Sequence, residues 1–310
     1  MATPPVALRP SDLQRGAGPR RKETAIRRLF FAAGLVSIVI SALIILSLVS
    51  KSIGFLSAIE PQWLLSNNWR PRNNEFSIHA LFVGSLIIAS IAMVVAAPLG
   101  LGTAIYLSEY ASTGMRRRLK PIVELLAGVP SIVVGFFALT VISPGLIQQV
   151  FSGAGLFNLA AAGIGVGILT VPLVATISED AMHAVPTGLR EAAFGLGARR
   201  KATSIRIVLP AAVSGIVAAM IVGLSRALGE TMVVAIAAGG SGSSSFTLNP
   251  LDPGQTATGA MATLATGTDQ VAGSGAAFPS LFFIGLLLFV VTFTLNLVSD
   301  RFVRRYRRRY

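Results

Sequence analysis

Six long apolar stretches limit what this chain of 310 residues can fold into. Each is about 20 residues long or longer, the length that a helix needs to cross roughly 30 Å of hydrocarbon. They are residues 29–49, 78–107, 121–142, 156–177, 211–238 and 279–298. Only 13% of the residues are charged, about half the share that is usual in a soluble domain. The sequence therefore predicts an all-α, polytopic membrane protein with six transmembrane helices.

The basic residues predict how these helices are oriented, because Lys and Arg near the ends of spans are retained in the cytoplasm. With a cytoplasmic N-terminus, 22 of the 26 Lys and Arg residues lie in cytoplasmic segments, and the others are Lys51, Arg70, Arg72 and Arg226. Both termini are therefore predicted to be cytoplasmic. The net charge of +13 then follows from topology and from attraction to anionic headgroups of the lipid bilayer. No nucleic-acid partner is predicted.

The same pattern divides the chain into segments. Residues 1–28 are predicted to be a cytoplasmic N-terminal tail without regular structure, and residues 29–76 the first transmembrane helix and an outer segment. Residues 77–300 form the core domain, with a cytoplasmic loop at 178–210, and residues 301–310 a basic cytoplasmic tail. The outer stretch at 239–278 is predicted to contain a short surface or re-entrant helix around 256–266.

Several chemistries are absent from the sequence. The chain has no cysteine and only two histidines, His79 and His183, so we predict no disulfide, no thiol catalysis and no metal site. It contains no G-x-x-x-x-G-K-[ST] loop to hold nucleotide phosphates. The glycines within the spans are predicted to serve close helix packing; they are Gly100, Gly102, Gly163, Gly165 and Gly167. We expect a chain that has no catalytic residues and no cofactor of its own.

The cytoplasmic loop at 178–210 carries a long spaced pattern. Its residues are Glu191, Ala192, Ala193, Gly197, Ile207, Leu209 and Pro210. The pattern predicts a helix-turn-helix in which Gly197 adopts a positive φ and Pro210 stops a helix. It resembles the loop by which permeases of bacterial ATP-binding-cassette importers dock onto their ATPase subunits. A solvated amphipathic linker is the alternative interpretation.

Arg226 is the only Lys or Arg residue within a predicted span. It lies about 15 residues into the fifth span, where a charge costs about 2.5 to 3.5 kcal/mol and normally faces a protein interior or a water-filled path. Glu230 follows four residues later, so we expect it on the same helical face, where it can neutralise Arg226. A purely structural buried ion pair is the alternative to a role in a translocation path.

The residues around this pair carry a second resemblance. The run G-L-S-R-A-L-G-E-T-M-V-V at 223–234 is similar to G-x-x-R-A-L-G-E-T-M-A-V of the C-type permeases of bacterial high-affinity phosphate importers, with Val233 where alanine is usual. The run E-L-L-A-G-V-P-S-I-V-V-G at 124–135 is similar to another stretch of that family. The resemblance covers residues 77–303.

This resemblance implies a permease of the type I ABC importer fold in the bacterial inner membrane. It implies a heterodimer with a homologous A-type permease, a homodimer of an ATPase that binds ATP and Mg, and an extracytoplasmic phosphate-binding protein. Arg226 and Glu230 are then expected in the path of phosphate, and transport is expected to proceed by alternating access.

Other functions stay open at this point. One is a permease for another oxyanion such as sulfate or molybdate, which the A-L-G-E-T-M run disfavours. The other is a stand-alone, proton-coupled anion carrier or channel that uses Arg226 and Glu230 alone. A stand-alone carrier has no use for a loop that docks an ATPase.

Overall fold

Helices make up most of the computed structural model, which describes residues 17–239, 244–267 and 275–307. They are α1 (Ala17–Ala58), α2 (Ile78–Ile105), α3 (Thr113–Ala127), α4 (Ser131–Phe137), α5 (Gln148–Val150), α6 (Leu159–His183), α7 (Thr187–Gly195), α8 (Arg200–Thr203), α9 (Leu209–Leu228), α10 (Met232–Ala237), α11 (Ala257–Thr266) and α12 (Ala277–Arg307). π-Helical segments extend or join several of them at Tyr106–Tyr110, Ala138–Ile147 and Ser204–Val208.

Six helical segments in the described part of the chain are long and apolar enough to cross a membrane. They are Glu23–Ala58, Ile78–Tyr110, Ser131–Val150, Leu159–His183, Arg200–Leu228 and Ala277–Val303. The prediction of six spans is therefore confirmed, although the first extends further at both ends than expected, and the third and fifth are shifted along the chain.

The third span begins later than the sequence suggested. Residues 121–127 belong to α3, a separate helix that ends at its C-cap residue Gly128. Pro130 then precedes α4, and a proline disfavours helical structure in the residue before it. The predicted start at Pro121 is wrong because an apolar run does not show where one helix stops and the next begins.

The fifth span begins earlier than predicted and runs through Pro210. The expectation that Pro210 stops a helix is wrong, since the helical segment continues from Arg200 to Leu228. A proline lacks an N–H and crowds the carbonyl four residues earlier. The turn before Pro210, Ser204–Val208, is π-helical. Its hydrogen bonds therefore join residues five apart instead of four, which changes the carbonyls that accept hydrogen bonds beside the proline.

Both ends of the described chain are more helical than expected. α1 begins at Ala17, so the predicted tail is helical over residues 17–28, and residues 1–16 lie outside the described part. α12 continues to Arg307, which makes residues 301–307 helical as well. The chain divides into two compact units between Ser50 and Lys51.

Glycines bring α2 and α6 into close contact. A Cβ at Gly163 would lie 2.7 Å from the Cβ of Ile91, and one at Gly167 would lie 2.8 Å from the Cβ of Val95. No side chain fits at such distances, so only glycine permits this approach. The predicted packing role is confirmed for Gly100, Gly163, Gly165 and Gly167, but a Cβ at Gly102 would have no neighbour within 4 Å.

One end of the second unit, which we call the sheet end, is formed by a small antiparallel sheet and by α11. The strands are β1 (Asn68–Arg70), β2 (Glu75–Phe76) and β3 (Ser244–Ser245), in the order β2-β1-β3. Trp69 pairs with Phe76 on one side and with Ser244 on the other. α11 is largely buried here, which confirms the helix predicted around 256–266.

The opposite end, which we call the loop end, is formed by α3, α7, α8 and the C-terminal turn of α6. α2 separates the two ends, because it starts beside β2 and its 28 residues extend over about 42 Å. α7 and the turn after it belong to the loop predicted at 178–210, of which the first part continues α6 to His183.

Candidate functional site

The fifth predicted span is not one continuous helix, because the helix is interrupted just before the polar residues Glu230 and Thr231. α9 ends at Leu228, and Gly229 caps it by donating its backbone N–H to the carbonyls of Ser225 and Arg226 at 3.2 and 3.1 Å. Helical structure resumes with α10 at Met232. A helix break inside a membrane leaves backbone groups that need other partners.

The break separates the two charged residues of the predicted site. Arg226 lies in the last turn of α9, whereas Glu230 lies beyond the end of that helix. The expectation that both share a helical face is wrong, because an i, i+4 spacing brings side chains together only in a continuous helix. No carboxylate in the described part of the chain forms an ion pair with Arg226 within 4.0 Å.

Arg226 nevertheless lies well inside the bundle along its long axis. Gly223, one turn before it, packs against Thr170 of α6 and Met93 of α2, and both residues are near the middle of their helices. The Arg226 side chain itself is exposed. The structure therefore places an exposed, unpaired guanidinium group partway along a membrane-spanning bundle.

The backbone at the break is held by side chains. The Glu230 carboxylate accepts a hydrogen bond from the backbone N–H of Thr231 at 3.2 Å, and the Thr231 hydroxyl donates to the carbonyl of Gly229 at 3.3 Å. The Thr258 hydroxyl of α11 donates to the Glu230 carbonyl at 2.7 Å. The break is therefore a defined structure with partners for its freed groups.

The first turn of α11 reaches the break from the sheet end. Thr256 caps the helix by accepting a hydrogen bond from the backbone N–H of Gly259 at 3.1 Å. The backbone N–H of Ala257 donates to the hydroxyl of Ser85 on α2 at 3.0 Å. Sequence reasoning did not assign Ser85 or Thr258 to the site. A threonine before an apolar run is typical of a helix N-cap and was the available signal.

The residues predicted to dock an ATPase fall into two groups. On α7 and the turn after it, Glu191 and Ala192 are exposed, Ala193 is buried and Gly197 has a φ of +78°. The predicted positive φ is thus confirmed. The second group lies on the following helical segment and consists of Ile207 and Leu209, which are half-buried, and Pro210, which is exposed.

Apolar side chains are exposed beside these docking residues. They are Leu189 and Phe194 on α7 and Leu196 in the following turn, of which Leu196 is 89% exposed. Exposed apolar groups at a polar end of a membrane protein are typical of a surface that another protein covers.

Two buried carboxylates at the loop end are ion-paired. Glu179 of α6 accepts from Arg116 at 2.7 Å and from Lys120 at 3.2 Å, both of which lie on α3. Glu109, in the π-helical segment after α2, pairs with Arg190 of α7 at 3.0 Å. The two carboxylate side chains are 1% and 6% exposed.

Sequence reasoning used these basic residues only as topology signals and did not consider the two carboxylates. The chain has 13 acidic residues. A glutamate at the end of an apolar stretch, next to a basic segment, was the signal that could have identified Glu109 and Glu179.

The chemistry of the described residues is that of binding rather than bond making. No group of three or more His, Asp and Glu side chains in the described ranges is arranged to hold a metal ion. Arg226 offers a permanent positive charge and a planar fork of N–H donors, which suits a carboxylate or phosphate oxygen.

The chain matches a protein family and individual relatives over most of its length. Residues 96–310 match the family described as binding-protein-dependent transport system inner membrane component. The chain is 33% identical over 292 residues to the phosphate transport system permease protein PstC of Mesorhizobium japonicum, which covers 88% of each chain. It is 32% identical over 240 residues to the phosphate transport system permease protein PstA 1 of Mycobacterium tuberculosis H37Rv, covering 76% of this chain and 73% of the relative.

Solved structures show the same fold at low sequence identity. A bacterial ABC transporter involved in the import of the acidic polysaccharide alginate matches with a TM-score of 0.61 and 16% identity, over 92% of this chain and 99% of that chain. Its complex with an alginate pentasaccharide-bound periplasmic protein also gives 0.61 and 16%, over 91% and 96%. The predicted importer permease fold is confirmed.

Proposed function

Because the chain belongs to the family of binding-protein-dependent transport system inner membrane components, we propose that it is the C-type permease of an ATP-driven phosphate importer. As a member of this family it is a multi-pass transport subunit of the inner membrane and is not itself catalytic. The systems that such subunits form also contain an ATPase and a binding protein. Phosphate as the substrate is supported by its similarity to the phosphate transport permeases PstC and PstA 1.

The observation that carries the phosphate assignment is the unpaired guanidinium group of Arg226. A charge at this depth is costly unless it faces a path or a partner, and the described residues supply no carboxylate partner within 4.0 Å. A phosphate oxygen pair matches the fork of donors that Arg226 presents. We therefore assign Arg226 as the residue that phosphate contacts during translocation.

Glu230 lowers the affinity of this site for phosphate. Its carboxylate is half-buried at the helix break, a few residues from Arg226. Negative charge near the path disfavours a second anion there, which lowers the affinity for phosphate and permits release. In this proposal Arg226 binds the phosphate ion and Glu230 makes its release faster.

The loop end couples transport to the partner ATPase. Glu191, Ala192 and the exposed Leu196 lie on one short helix-turn segment, which we propose seats on an ATPase homodimer that binds ATP and Mg. A homologous A-type permease completes the translocation path as a heterodimer, and an extracytoplasmic phosphate-binding protein delivers the substrate. ATP binding closes the ATPases, the spans rearrange to face outward, and hydrolysis restores the inward-facing state.

This assignment makes the loop end cytoplasmic and the sheet end extracytoplasmic, with both termini in the cytoplasm. The charge distribution supports this orientation. The chain has no native cysteine, so Ser244→Cys in β3 gives a single labelling position. A membrane-impermeant maleimide should label it only from outside, and labelling only from the cytoplasm would reverse the orientation.

The proposed function is tested by uptake into proteoliposomes that contain this chain, the A-type permease and the ATPase. Labelled phosphate is supplied with its binding protein, with and without ATP inside, and with sulfate or molybdate in excess. We expect ATP-dependent uptake that neither anion suppresses. Suppression by sulfate or molybdate would favour another oxyanion, and uptake by the chain alone under a proton gradient would favour a stand-alone carrier.

A further inference from the structure

A single arginine on α7 contacts several helices of the bundle. The guanidinium group of Arg190 donates from Nη1 to the carbonyl of Val185 at 2.7 Å and from Nη2 to the carbonyl of Met182 at 2.8 Å. Nη2 also donates to Oε1 of Glu109 at 3.0 Å. One side chain of α7 therefore contacts the last turn of α6, the residues just after it, and the π-helical segment that continues α2.

The carboxylate of Glu109 extends these contacts to the fifth span. Its Oε2 accepts from the hydroxyl of Ser204 at 3.5 Å, and Ser204 begins the π-helical segment that leads into α9. Its Oε1 also accepts from the neighbouring Ser108 at 3.1 Å. We call Arg190, Glu109 and the carbonyls of Met182 and Val185 the Arg190 link. Through it α7 is connected to α2, α6 and the start of the fifth span.

The rest of α7 contributes little to its attachment. Of its nine residues, Ala193 is buried, Arg190 is half-buried and the others are exposed. The buried methyl group of Ala193 packs against its neighbours but forms no hydrogen bond or ion pair. The hydrogen bonds and the ion pair of Arg190 have fixed directions, and charge-assisted bonds of this kind are the strong ones.

We propose that Arg190 is a positioning residue that transmits the movement of α7 to α2, α6 and α9. This inference rests on the proposed function, because it takes α7 as the segment that the ATPase moves. With the Arg190 link intact, a displacement of α7 displaces the ends of these helices together. With the link broken, α7 moves while the spans stay in place.

The decisive measurement is the number of phosphate ions imported per ATP hydrolysed by the assembled complex. In Arg190→Gln and in Glu109→Gln we expect this ratio to fall at least tenfold while ATP hydrolysis continues. Arg117→Gln is the matched control, because Arg117 is an exposed arginine on α3 outside the link, and its ratio should be unchanged. A merely structural role would lower uptake and hydrolysis in proportion, which would overturn the proposal.

Two further variants sharpen the result. Arg190→Lys keeps the charge opposite Glu109 but loses the fork that reaches both carbonyls, so the ratio should lie between those of the native protein and Arg190→Gln. The double variant of Arg190→Gln with Glu109→Gln should be no worse than either single variant, because both remove the same link. Additive losses would mean that the two residues act separately.

Hydrogen exchange of the α7 amides in the assembled complex tests the link without reference to phosphate. We expect α7 and the end of α2 to change protection together when ATP binds in the native complex, and α7 alone to change in Arg190→Gln. If the native complex shows this concerted change but imports no phosphate, the substrate assignment fails and the link stands. If the change stays concerted in Arg190→Gln, the link fails.

Discussion

The loop end and the helix break treat their charged residues in opposite ways. At the loop end, Glu179 is almost fully buried and has two basic partners from α3. At the break, Arg226 is exposed and has no carboxylate partner among the described residues. The same chain therefore pairs its charges where helices are attached to one another and leaves one unpaired where a span is interrupted.

The two arrangements suit different roles. Paired charges attach helices to one another, whereas an unpaired charge can bind an ion. A buried, paired charge fixes geometry, since removing one partner leaves the other without compensation. An unpaired charge in a path is available to a mobile ion of opposite sign. The comparison predicts that loop-end substitutions change stability or coupling, whereas substitutions at the break change which anion moves and how fast.

The largest effect is expected at Arg226. Arg226→Lys keeps the charge but loses one of the two parallel hydrogen bonds of the fork, about 2 to 3 kcal/mol for a charge-assisted bond and hence about 30- to 150-fold in phosphate uptake. Arg118→Lys, on an exposed arginine of α3, is the matched control. Uptake is measured per assembled complex. Normal phosphate uptake by Arg226→Lys would show that the guanidinium group does not bind phosphate, and the proposed difference in role between the two regions would be wrong.

The next effect concerns the paired carboxylate. Glu179→Gln removes the charge that holds Arg116 and Lys120, and we expect the complex to lose about 2 kcal/mol of stability, less than for a fully buried pair because both basic side chains are about one-third exposed. The measurement is unfolding in detergent. Glu124→Gln, on the exposed face of α3, should leave unfolding unchanged. If Glu179→Gln kept full stability but lost phosphate uptake, Glu179 would have a role in substrate binding rather than in attaching α3.

A smaller effect is expected in the turn after α7. Gly197 has a φ of +78°, and an alanine there costs about 1 to 2 kcal/mol. Gly197→Ala should weaken binding of the ATPase about tenfold, measured with the detergent-purified permease pair. Gly195→Ala is the control, because it lies within α7 and a Cβ there meets nothing within 4 Å. Equal effects of the two substitutions would show that the turn conformation is unimportant for docking.

The smallest effect is expected at Thr258. Thr258→Val removes the hydrogen bond to the Glu230 carbonyl, a loss of about 1 kcal/mol, and should reduce uptake severalfold without loss of assembly. Thr266→Val removes a comparable bond at the far end of α11, to the carbonyl of Ala262, and should leave uptake unchanged. If both variants transport normally, α11 has no part in positioning the break.

The sequence predicted the number of spans and the turn with a positive φ at Gly197, because long apolar runs and a spaced motif are local signals. It did not predict the helix break, since the apolar run continues on both sides of Gly229 and hydropathy carries no information about backbone continuity. It also missed the pairing of Glu179 with Arg116, which are 63 residues apart in the sequence. Such partners are determined by how helices pack, and a single sequence does not specify that.

The close packing of α2 on α6 limits how the transporter can change shape. Ile91 and Val95 each contact a glycine on α6. Sliding by one turn, about 5.4 Å, would bring Val171 to the position of Gly167 in one direction and Leu159 to the position of Gly163 in the other. A branched side chain does not fit there, so neither helix can slide along the other. They must turn as one body, and any opening of the path must occur along the other helix contacts.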